Sequence, residues 1–71
     1  MMNLAKVIKR QSIPWILDNG DTVNPPVDTI VQCEELPRGK CVDYWRRVYF
    51  PGYASDMTIS TIAFNRYFGE L

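Results

Sequence analysis

Apolar and polar residues change period along this chain, and the changes mark its elements. From Cys41 to Phe50 the side chains alternate: Val42, Tyr44, Arg46, Val48 and Phe50 on one side, Asp43, Trp45, Arg47 and Tyr49 on the other. Strict alternation is the period of a strand. Aromatics on both sides suit a central strand, or one with the core on one face and a partner on the other. Val27 to Glu35 has β-branched residues without glycine or proline, and pairs with it as a hairpin. Leu36-Pro37-Arg38-Gly39-Lys40 supplies the turn, with Gly39 as its left-handed residue. A shorter hairpin is predicted between Ile13–Leu17 and Thr22–Val23 across Asn19-Gly20, a sequence suited to positive φ at both central positions. Pro25-Pro26 ends it.

After Met57 the spacing becomes three and four: Ile59, Ile62, Ala63, Arg66 and Tyr67, with Phe64, Phe68 and Leu71. This predicts a helix of about three turns with Ser55 or Asp56 as N-cap and Gly69 as C-cap. Its rival is a strand over Met57 to Ile62, rich in β-branched residues. Asn3 to Ser12 reads as an exposed strand or ordered arm, and residues 1–12 as a mobile basic arm, since Lys6, Lys9 and Arg10 have no acid among them. The expected fold is α+β: a small antiparallel sheet of two hairpins with one C-terminal helix packed on it, in one domain of 71 residues.

Composition narrows the function. Eight Lys and Arg balance eight Asp and Glu, so the chain as a whole lacks both the cation surplus of a nucleic-acid binder and the acid surplus of a DNA mimic. Histidine, the commonest general base, is missing. Glu34 and Glu35 point to opposite faces of a strand and cannot form a carboxylate pair. The glycines are too scattered for a phosphate loop. The expectation is therefore a binding protein, not an enzyme, with no cofactor and no metal. No signal peptide or membrane span is expected, and in a reducing cytosol Cys33 and Cys41 are expected to be free thiols. A turn pairing Leu36 with Lys40 would put them diagonal on one face, poor geometry for a disulfide.

Three candidate contact groups emerge. Lys6, Lys9 and Arg10 could dock on an acidic surface or be an ordinary solvated terminus. Arg46 and Arg47 lie among aromatics, as on some nucleic-acid surfaces, but alternation separates them, and each can pair with Glu34 or Glu35 across the hairpin. Trp15 is core-forming in so small a domain, though tryptophan is also enriched at binding hot spots.

The opening run Met1-Met2-Asn3-Leu4-Ala5-Lys6-Val7-Ile8-Lys9-Arg10-Gln11-Ser12-Ile13-Pro14-Trp15, and the later Tyr44-Trp45-Arg46-Arg47-Val48-Tyr49-Phe50, resemble the small RNA-polymerase-binding transcription regulators of lytic Xanthomonas phages. The resemblance extends along the whole chain. It implies host takeover in the bacterial cytoplasm: binding to the large subunits of host RNA polymerase, inhibition of initiation and antitermination, by a chain that is a monomer alone. It carries over no signature positions. The expected partner-binding residues come from residue chemistry: Lys6, Lys9 and Arg10, with Arg47, Tyr49 and Tyr53 near the end of the long strand. The alternative is a small phage DNA-binding regulator using the helix after Met57. That window holds one base, Arg66, against one acid, Glu70, which is poor for a recognition helix. A third reading is a structural protein that self-assembles through hairpin edges.

Overall fold

The computed structural model describes residues 2–36 and 45–71. The elements in chain order are β1 (Asn3–Val7), β2 (Trp15–Ile16), β3 (Thr22–Val23), β4 (Ile30–Glu35), β5 (Trp45–Tyr49), β6 (Asp56–Ser60), α1 (Thr61–Tyr67) and β7 (Phe68–Glu70). Among the described residues, five strands form one sheet in the order β6-β5-β4-β1-β7, with every pairing antiparallel. The pair β2-β3 is a separate two-stranded sheet. The class is α+β, but the sheet is larger than two hairpins, because β1 and β7 complete it.

β1 is not an arm. It pairs with β4 on one side and β7 on the other, placing Ala5 opposite Val31 and Val7 opposite Phe68. Ala5 and Val7 are fully buried, so the charges in this segment flank a core strand. The small hairpin forms where Asn19-Gly20 predicts it, with Trp15 opposite Val23. Its turn differs: Gly20 takes φ 91° and Asn19 does not have positive φ. Leu17 accepts from the Gly20 amide and donates to Asp21, so three residues turn the chain and the glycine absorbs the strain.

The long hairpin has a different register from that expected. Leu36 donates to the Trp45 carbonyl at 2.9 Å, and Cys33 lies opposite Val48. Residues 37–44 fall between, so the predicted turn at Gly39 and the expected thiol of Cys41 lie outside the described residues. Cys33 is a free, buried thiol.

The C-terminal reading needs the largest correction. Asp56–Ser60 is a strand paired along β5, and the helix has seven residues. Thr58 and Ile59 are β-branched and gain a ladder with β5, which overrides the three-and-four spacing. Ser60, not Ser55 or Asp56, is the N-cap: its hydroxyl accepts from the Ala63 amide at 3.2 Å. Gly69 is not a C-cap. It sits in β7 opposite Lys6, where an added Cβ would lie 3.0 Å from Ile8 Cγ2.

Alternation then assigns the faces. Ala5, Val7, Val31, Cys33, Val48, Met57 and Phe68 point inward, where Leu17, Val23, Phe50 and Phe64 complete the core. The helix and the small hairpin cover this face. Phe64 stacks on Phe68 at 5.1 Å, and Trp15 meets Tyr67 edge-on at 5.2 Å.

Candidate protein-binding surface

The second face of the sheet carries Leu4, Lys6, Ile30, Gln32, Glu34, Trp45, Arg47, Tyr49, Asp56 and Thr58. Their places follow from register. Leu4, Gln32, Tyr49 and Asp56 form one row across four strands; Glu34, Arg47 and Thr58 form the next. Neither the helix nor the small hairpin lies over this face. Leu4, Ile30 and Trp45 are exposed there. A shallow depression of about 330 Å³ is lined by Leu4, Ile30, Gln32, Tyr49, Phe50 and Pro51.

Beside the depression runs a charge network. Arg47 Nη1 lies 3.4 Å from Glu34 Oε1, and its Nε lies 3.2 Å from Asp56 Oδ2. The Tyr49 hydroxyl donates to Glu34 at 3.1 Å. The Arg47 guanidinium is pushed further toward its charged form, chiefly by the Tyr49 hydroxyl and then by Asp56 and Glu34. One cation held between two carboxylates leaves no local surplus of positive charge. The group orients Arg47 and Tyr49 and suits a polar rim around apolar contacts. It does not suit phosphate.

The expected contact residues therefore separate. Arg47, Tyr49 and Lys6 share the open face. Lys6 is not free of acids, because its ammonium lies 3.7 Å from Asp28. Lys9 and Arg10 follow β1 at its far end, where the Arg10 guanidinium donates to Asn24 Oδ1 at 3.3 Å. Tyr53 belongs to the β5–β6 turn, lining a 260 Å³ groove with Pro25, Pro26 and Pro51. Arg46 is drawn off the surface. It forms an ion pair with Glu70, and its guanidinium carbon lies 4.6 Å from the Phe64 ring centroid. Alternation separated the two arginines correctly; it could not give Arg46 a partner on β7.

Leu4, Ile30 and Trp45 were absent from the expected contact set. Leu4 was readable, since Leu4 and Lys6 alternate with Ala5 and Val7. Ile30 was not, because Ile30-Val31 is apolar on both faces and only the register shows which side is covered. Among the described residues no group of three potential metal-ligating side chains occurs, and no helix is long and apolar enough to cross a membrane. Compared with family models, curated proteins and solved structures, the chain matches none.

Proposed function

We propose that this chain is a non-catalytic phage regulator that binds host bacterial RNA polymerase through the open face of its sheet, inhibits initiation at host promoters and promotes antitermination. The observation that carries the reading is the face that the described residues leave uncovered: exposed Leu4, Ile30 and Trp45 around Arg47 and Tyr49, both oriented by Glu34. Aromatic residues and arginine are the types enriched where proteins bind proteins. The resemblance of the N-terminal run and of Tyr44–Phe50 to polymerase-binding phage regulators supplies the partner. Both runs contribute to this face, through Leu4 and Lys6 on β1 and Trp45, Arg47 and Tyr49 on β5. The face binds its partner by burying apolar surface, and the Glu34–Arg47–Asp56 group restricts the docking orientation.

The test uses purified holoenzyme, a host promoter and this protein. Native electrophoresis is expected to show comigration with polymerase, and abortive transcripts are expected to fall. Trp45→Ala with Leu4→Ser is expected to lose both effects while keeping the circular dichroism spectrum. If the protein shifts promoter DNA alone and leaves polymerase mobility and transcript yield unchanged, the DNA-binding alternative replaces this reading.

A further inference from the structure

The opposite side of the molecule carries a different chemistry. There α1 and β2 cover the core, and their outward residues form the surface. Ile62 and Arg66 are four apart on α1, hence on one helix stripe, and both are exposed. Ile16 alternates with the inward Trp15 and points away from the core. Ile13, Ile16 and Ile62 are 68%, 69% and 71% exposed, the highest values among the described β-branched apolar residues. The backbone brings cations to the same layer. The Ile8 and Lys9 amides both donate to the Tyr67 carbonyl, at 2.9 and 3.4 Å, setting Lys9 beside the helix end that carries Arg66. Trp15 against Tyr67 places β2 next to that end.

Lys9, Arg10 and Arg66 have no carboxylate partner among the described residues. Arg10 is held by Asn24, an uncharged group that leaves its charge intact. In a chain of zero net charge, these three cations form a local surplus.

We propose that this outer layer is a second docking surface, for an acidic protein segment whose carboxylates alternate with apolar side chains. Lys9, Arg10 and Arg66 meet the carboxylates; Ile13, Ile16 and Ile62 meet the apolar residues. Charge complementarity selects an acidic partner. The aliphatic residues select a protein over a nucleic acid, because isoleucine offers no ring on which a base stacks. They also weigh against a membrane surface: a seven-residue helix is too short to lay an apolar stripe along a bilayer. The proposal does not depend on polymerase binding, since the surface lies on the other side of the core from the open sheet face.

The test is fluorescence anisotropy with labelled synthetic probes: an acidic peptide interspersed with Leu and Phe, an equally acidic peptide of Glu and Gly, and single-stranded DNA. Phosphatidylserine vesicles are assayed by co-sedimentation. The first peptide is expected to bind at least about tenfold more tightly than the second and to weaken between about 50 and 300 mM salt. Lys9→Ala, Arg10→Ala and Arg66→Ala combined are expected to lower its affinity at least about tenfold, and Ile16→Ser with Ile62→Ser about fivefold. Trp45→Ala is expected to leave it unchanged. Equal binding of the two peptides, or affinity indifferent to the three cations in variants with an unaltered circular dichroism spectrum, overturns the proposal. Tighter binding of DNA or vesicles through the same cations overturns it as well.

Discussion

Cys33 sits in the core beside the Arg46–Glu70 ion pair, which lies on the same covered face of the sheet. Burial pushes its thiol above the usual range, with the nearby Arg46 lowering it and Glu70 raising it. The native thiol is thus harder to ionise than the unfolded one. Its contribution to stability is complete below the unfolded pKa and is lost as pH climbs above about 9 toward the folded value. Urea unfolding of the parent and of Cys33→Ala is expected to show this extra alkaline loss in the parent alone. Iodoacetamide is expected to label Cys33 only after unfolding, because the nucleophile is the thiolate and the side chain is fully buried. Asp28 offers a second residue-scale test. It holds φ 73° in a turn where Thr29 donates to the Pro26 carbonyl. Asp28→Gly is expected to stabilise by up to about 1 kcal/mol, and Asp28→Val to destabilise by more than about 1 kcal/mol. The lost Lys6 ion pair is exposed and offsets little of this. Thermal or urea midpoints of the two variants check the signs.

The short helix is held by its surroundings, since seven residues are too few to be helical alone in water. Phe64 anchors it against Phe68, and Ser60 caps it. Phe64→Ala is expected to cost about 3 to 5 kcal/mol, enough to unfold so small a domain, and Ser60→Ala about 1 kcal/mol, both read from denaturant midpoints. The contrast shows where sequence reasoning works here. Asn19-Gly20 announces its hairpin because the turn needs one residue at positive φ, which Gly20 supplies. The alternation in Trp45–Tyr49 announces β5 because every second side chain enters the core. Met57 to Ser60 does not announce itself, since the same spacing serves a helix or a strand and only pairing with β5 decides. The strand reading of Asn3 to Ser12 holds for β1, but the basic residues hide that this strand is buried and not exposed. Its burial depends on β4 and β7, which are distant in sequence.

At the scale of the molecule, the described residues cover one face of the sheet and leave the other open. The core was legible in part: Phe64 and Phe68 are buried as expected, but Phe68 belongs to β7 and not to the helix, and Ile62 and Leu71 of the same predicted stripe are exposed. The candidate site was legible in part. Arg47 and Tyr49 lie on one face as alternation requires, whereas Lys9, Arg10 and Tyr53 leave it because the register of β1 and the turn after Phe50 carry them elsewhere. The central claim is that the open face, and not the basic end of the molecule, meets polymerase. Hydroxyl-radical footprinting with saturating holoenzyme tests it most directly. The account predicts that oxidation of Leu4, Trp45 and Tyr49 falls severalfold on binding, while Ile13, Ile16 and Tyr53 keep their free-protein rates. Unchanged oxidation of Trp45 and Tyr49 in a sample whose protein has fully comigrated with polymerase would contradict it.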